Sequence, residues 1–233
     1  MKFSELGAKT ILIARSEDKL ISLSNSLKNS QYIAIDISNR ELLKEKISNL
    51  LNDLGSVDIL VNNTGGPKAG LISDALDIDF IDAFNNHLLV NSLLSQLLIP
   101  NMKKNNYGRI INIISTSVKI PINNLGVSNT IRGAVASWAK TLSNEVAQYG
   151  ITVNNVLPGY TDTERLSILI ENASKKSNKP VNEVREEWIN SVPSKRFARP
   201  EEVANAVAFL ASEQASYING INLPVDGGRT GCL

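Results

Sequence analysis

Six short β-branched runs, each separated from the next by a stretch of helical periodicity, constrain this chain more than anything else in it. Lys9–Ala14, Tyr32–Ile35, Asp58–Val61, Arg109–Ile114, Thr152–Leu157 and Ile221–Val225 are apolar with little alternation, the pattern of strands buried on both faces of a parallel sheet. Between them, Glu17–Leu27, Arg40–Leu54, Ile78–Lys104, Val127–Gln148 and Pro200–Ser212 carry apolar residues at helical spacing. Repeated strand–helix–strand order predicts an α/β fold, a doubly wound and mostly parallel sheet covered on both faces. The polar stretch Asn172–Asn182 breaks the rhythm and predicts a loop or lid inside a helical excursion near 163–195. No linker, repeat or low-complexity block divides the chain, so residues 1–233 are expected to form one domain.

Charge and cysteine content exclude several classes of function. Lys and Arg total 24 against 23 Asp and Glu, which leaves no net field to gather a polyanion, so a nucleic-acid partner is not expected. The apolar runs fall far short of the roughly 20 residues of a membrane span, and no secretory signal opens the chain; the expected location is cytoplasmic. Cys232 is the only cysteine, which rules out an intrachain disulfide and speaks against a cysteine nucleophile or cysteine-based metal site; no metal is expected.

Open parallel sheets bind ligands at the carboxyl ends of their strands. Arg15 follows the first run, Asp36 and Ile37 the second, and Asn62-Asn63-Thr64-Gly65-Gly66 the third. Ser115, Thr116 and Ser117 follow the fourth, and Pro158, Gly159, Tyr160 and Thr163 the fifth. Each cluster by itself also suits an ordinary strand-to-helix turn. Their order and spacing carry the signal.

In that order the sequence resembles the short-chain dehydrogenase/reductase family, particularly a divergent branch of the 3-oxoacyl-acyl-carrier-protein reductases. Asn62–Gly65 looks like the family's Asn-Asn-Ala-Gly turn, and Gly108–Ile113 with Ser115 like its central strand and catalytic serine. Pro158-Gly159 and Thr163 are similar to its nicotinamide-contacting segment, and Arg199–Ala204 and Val225–Gly228 to its C-terminal signature. Thr64–Pro67 matches the branch's Thr-Gly-Gly-Pro. The resemblance implies a Rossmann-like fold, an NAD(P)H-dependent reaction on a small-molecule carbonyl or alcohol, and a homodimer or homotetramer. It also implies a first strand and a glycine-rich phosphate turn, and neither is in this sequence; Met1–Gly7 reads as the second half of the helix after that turn, with Phe3 and Leu6 packing inward. About 20 residues are therefore expected to precede Met1.

By the same resemblance, Arg15 stands where coenzyme choice is set, and a guanidinium there favours the 2′-phosphate of NADP(H) over NAD(H). Asp36 and Ile37 are expected beside the adenine, with Asn63, Thr64 and Gly65 along the adenosine ribose. The family's catalytic Tyr, Lys and Asn positions fall on Ser128, Arg132 and His87, and its Ser position on Ser115. A serine hydroxyl is far less acidic than a phenol, and Arg cannot relay a proton. Two readings stay open: a reductase in which Ser115, Ser128, Arg132 and His87 share the work, or a catalytically impaired dinucleotide-binding or oligomeric partner protein. Tyr160 is a candidate substitute acid, whereas Tyr107 precedes its strand and is expected at the wrong end of the sheet.

Overall fold

A computed structural model describes residues 1–232. Six strands form where the β-branched runs predict them, all paired in parallel: β1 (Thr10–Ala14), β2 (Ser30–Ala34), β3 (Ile59–Asn62), β4 (Gly108–Ile113), β5 (Ile151–Pro158) and β6 (Asn222–Val225). They make two sheets rather than one. β1 pairs only with β2, and β3-β4-β5-β6 make a separate four-stranded sheet. Among the described residues no strand joins β1 to β3, which is where the family's first strand was expected.

The helices are α1 (Lys2–Glu5), α2 (Glu17–Ser26), α3 (Arg40–Leu54), α4 (Asp77–Ala83), α5 (Val90–Asn105), α6 (Gly126–Val146), α7 (Glu164–Ser177), α8 (Val181–Asn190) and α9 (Pro200–Ala211). Asn39 caps α3 by accepting from the Leu42 N–H, and Gly55 ends it at φ 79°, so sharp bounds follow from local chemistry. One face of the sheet is covered by a core that includes Leu43, Ile47, Val90, Leu94, Leu98, Met102 and Ile110. The other holds Ile111, Val156, Val207 and Leu210, with Phe3 packed against them. Leu6 does not join them: it is 63 % exposed, because α1 ends at Glu5 and the chain turns away through Gly7 at φ 87°.

The expected loop at Asn172–Asn182 is mostly helix. α7 runs on to Ser177, and the break is confined to Asn178–Pro180, with Asn178 left-handed at φ 54°. The helical period persists through the polar residues because Leu166, Ile170 and Ala173 pack on Val184, Trp188 and Phe197, while Lys175, Lys176 and Ser177 face water. The predicted Ile78–Lys104 helix is likewise interrupted: a π-helical turn, Phe84–Leu89, separates α4 from α5.

Asparagines join the four strands of the β3–β6 sheet in one row. Asn62 Nδ2 donates to Asn112 Oδ1 at 2.9 Å, Asn112 Nδ2 to Asn155 Oδ1 at 2.9 Å, and Asn155 Nδ2 to Asn222 Oδ1 at 2.8 Å. These residues are directly opposite one another in the parallel register, so one amide from each strand completes a buried ladder across all four. Asn91 of α5 adds a weaker contact to Asn112 at 3.4 Å. Asparagine is a poor strand former in isolation; here each buried amide is matched to the next, and a one-residue slip of any strand would leave amides unpaired.

Candidate active site

The segment after β3 borders a cleft of about 530 Å³ walled by Gly65, Gly66, Pro67, His87 and Val127 among others. Thr64, just past β3, shares a 2.5 Å hydrogen bond with His87 Nδ1. His87 sits in the π-helical turn, where the extra residue per turn re-aims a side chain that a regular helix would direct elsewhere. It is 3 % exposed. Burial, reinforced by the positive charges of Arg132 and Arg165, pushes its pKa down to about 4, so the imidazole is neutral at neutral pH.

Ser128 and Arg132 lie one turn apart on the buried face of α6. Arg132 Nη1 donates to the Ile113 carbonyl at 2.8 Å, at the end of β4, while its buried Nε has no partner among the described residues. Burial first, and then the neighbouring Arg165, bring the Arg132 pKa down to about 10. Ser115 follows β4 and its Oγ accepts from the Ser117 N–H at 3.1 Å. The fold thus brings His87, Arg132 and the β4 end together, with Ser115 and Ser128 on the segments beside them; of these only His87 is among the cleft's walls.

The remaining predicted residues fall along the same strand edge. Arg15 and Asp36 are both exposed, close enough that Arg15 helps hold the Asp36 carboxyl below its ordinary value, after the larger effect of hydrogen bonds from Ser38. Ile37 packs against the core, Asn63 and Gly65 are exposed, and Thr163 precedes α7 with its hydroxyl donating to the Thr161 carbonyl at 3.2 Å. Pro158 ends β5, and Gly159 passes so close to β6 that a methyl group on it would lie 2.6 Å from Asp226 Cβ. Tyr160 is otherwise engaged: its ring stacks on Trp188 at 4.8 Å and its oxygen accepts from Arg229 Nη2 at 3.0 Å. Tyr107 sits before β4 and donates to the Ala211 carbonyl at 3.3 Å, at the opposite end from Ser115.

A family model described as enoyl-(acyl carrier protein) reductase matches residues 1–230. The chain belongs to the short-chain dehydrogenase/reductase family. It is 39 % identical over 227 residues to the 3-oxoacyl-[acyl-carrier-protein] reductase FabG of Rickettsia felis, covering 96 % of this chain and 87 % of that protein. The corresponding enzyme of Vibrio harveyi is 32 % identical over 96 % of this chain and 88 % of its own. Among solved structures, YwfH, an NADPH-dependent reductase of bacilysin biosynthesis, superposes with TM-score 0.95 at 27 % identity, over 100 % of this chain and 92 % of its own. L-Sorbose reductase from Gluconobacter frateurii, solved with NADPH and L-sorbose, superposes with TM-score 0.93 at 29 % identity, over 100 % and 90 %. The chain is thus an oxidoreductase of the NAD(P)-dependent short-chain type with a Rossmann-like fold, and among the described residues no helix is long and apolar enough to cross a membrane.

Sequence reading missed two features of this site. Arg165, in the first turn of α7, reaches over Gly66, and the only hint was a basic residue where the helix dipole disfavours one. The asparagine ladder was legible only once the strand register was known.

Proposed function

We propose that the protein reduces the carbonyl of a small molecule with NADPH, using a short-chain dehydrogenase/reductase scaffold whose usual phenolic acid is replaced by Ser128. The observation that carries this reading is Arg132: a buried guanidinium whose Nε lacks a partner, fixed to the end of β4 one turn from Ser128, where the family resemblance expects a lysine against the nicotinamide ribose. The residues suit the cofactor. Arg132 has a free donor for a ribose hydroxyl, the Gly159 backbone leaves no space for a side chain beside the nicotinamide segment, and Arg15 with Asp36 offers a guanidinium for a 2′-phosphate and a carboxylate for an adenine amine. Asn63, Thr64 and Gly65 would flank the adenosine ribose, with Pro158 and Thr163 beside the nicotinamide.

When bound, NADPH supplies the hydride. Ser115 and Ser128 orient the carbonyl by donating hydroxyl hydrogens to its oxygen, and Arg132 adds positive potential as negative charge develops there. His87 is neutral, so it holds Thr64 and conducts a proton from solvent rather than storing one. Half-buried Leu93, Leu97, Trp138 and Leu142 on α5 and α6 fit a homodimer or homotetramer.

Without a lysine-activated phenol, turnover of ordinary ketones is expected to be at least about 100-fold below that of relatives with one, the low end of a positioned general acid's contribution. The test compares NADPH-dependent turnover by the protein and by its Ser128→Tyr, Arg132→Lys double variant. A gain in the variant supports the reading. A parent already as fast as its relatives, with no gain, means the proton comes from elsewhere, and His87→Asn then identifies or excludes that residue. Tight NADPH binding with no turnover in either protein instead favours a binding protein.

A further inference from the structure

Two cations meet at Gly66 with no anion between them. A methyl group placed on Gly66 would lie 2.6 Å from Arg165 Nη2 and 3.4 Å from Arg132 Nη2. Arg185, Lys179 and Arg196 nearby have acidic partners, Asp162, Glu183 with Glu187, and Glu202 respectively, whereas the exposed Lys175 and Lys176 at the far end of α7 have none among the described residues. Neither Arg132 nor Arg165 has a carboxylate within 4.0 Å among the described residues. Arg165's one hydrogen bond is a long 3.4 Å contact from Nη1 to the Gly66 carbonyl, weak by its length. It also sits in the first turn of α7, where the helix dipole opposes a cation.

The cost of this arrangement falls mainly on Arg132. Only 8 % of it is exposed, and its Nη2 shares the approach to Gly66 with a second guanidinium. A buried charge without a counterion is strongly unfavourable and is retained where a ligand supplies the missing charge. Burial first, and then the neighbouring guanidinium charges, hold the pKa values of His87 and Arg132 down. Gly66 walls the cleft, Lys68 and Lys176 stand at the same cleft, and its other lining is partly apolar, including Pro67, Leu71 and Val127. Asp74, Asp79 and Asp82 also line it, on the α4 side. The cleft is thus acidic on its α4 side, while its Gly66 wall is backed by the two guanidinium groups.

We infer that the substrate of this site is an oxo acid, its free carboxylate held by Arg165 and Arg132 close to the reducible carbonyl. The inference rests on the reductase reading. Guanidinium forks match the two oxygens of a carboxylate, whereas a carrier-protein thioester is neutral near its ketone and would leave the pair unmatched. The reaction adds hydride from NADPH to the carbonyl carbon and a proton to its oxygen, giving the hydroxy acid and NADP⁺ with the carboxylate unchanged. A phosphate oxygen of the cofactor offers similar chemistry, and the test separates the two.

The experiment measures kcat/KM for 2-, 3- and 4-oxo acids of four to eight carbons, each beside its methyl ester, in the parent, Arg165→Met and Arg165→Lys, together with NADPH affinity by fluorescence titration. The parent is expected to prefer at least one acid over its ester by roughly 10- to 100-fold, the worth of a charge-assisted pair. In Arg165→Met that ratio should fall toward one, in Arg165→Lys it should partly recover, and NADPH affinity should change less than about threefold. Equal use of acid and ester by the parent overturns the inference. So does a loss of NADPH affinity in Arg165→Met with acid and ester affected alike, which would assign the anion to the cofactor. If the parent turns over no ketone at all, the reductase reading has failed, and thermal-shift titration with the same pairs decides the anion site separately: stabilisation by acids but not esters, lost in Arg165→Met, upholds it, and its absence removes it.

Discussion

The β1–β2 pair and the β3–β6 sheet contain similar residues and are held very differently. Every residue of β4 except Ile113, and every residue of β5 except Pro158, is buried, and both strands are paired on each side. In β1 no residue is fully buried, and in β2 three of five are exposed. β-branched composition is common to both regions, so it is pairing on two edges and cover on two faces that separates a buried strand from an exposed one. The end of the site proposed for the carbonyl thus rests on the buried strands, whereas Arg15 and Asp36, proposed for the adenosine end, follow the more exposed pair.

The sharpest way to break this comparison is to cut the asparagine ladder. Asn112→Leu leaves Asn62, Asn91 and Asn155 without their shared partner and should cost roughly 3 kcal/mol or more in urea denaturation. Ile13→Ala in half-buried β1 should cost only about 1–2 kcal/mol. Equal losses would mean that the two regions are equally fixed.

A second test uses pH. The His87 pKa is lowered from 6.5 to about 4 on folding, so its contribution to stability is fully present above pH 6.5 and is lost as pH falls toward 4, where the unfolded chain takes up a proton that the folded one refuses. At most roughly 3 kcal/mol is involved. His87→Asn should therefore narrow its stability difference from the parent between pH 7.5 and 4.5; an unchanged difference would mean that the imidazole is not held neutral.

The smallest effect belongs to the β1–β2 pair. Arg15→Asp should reverse the preference for NADPH over NADH, each affinity moving by roughly tenfold, about 1.4 kcal/mol, as befits an exposed charge. Unchanged relative affinities would remove Arg15 from the site.

Much of the fold was legible because its signals are local. The six β-branched runs and the period of α3 can be read from neighbours a few residues apart, and the observed bounds differ from the expected ones by no more than two residues for the strands. Ser115, Ser128, Arg132 and His87 are placed by counting along the family resemblance from Gly108–Ser115, and the structure sets Arg132 against the end of β4 with His87 nearby. The π-helical turn at His87, the continuation of α7 through Ser177 and the exposure of Leu6 could not be read in this way, because each depends on which distant side chains are available to pack against.

By itself, then, the sequence determined the element order, the parallel winding and the identity of the side chains at the strand ends, all consequences of periodicity and of residue types in a row. Only the tertiary structure decided that four asparagines from four strands share one ladder, and that Arg165, more than thirty residues after Arg132, meets it over Gly66. The physical reason is the same in both cases. A buried amide or an unpaired guanidinium has no meaning until its partners, or the lack of them, are known, and those are fixed by strand register and helix placement rather than by neighbours in the chain.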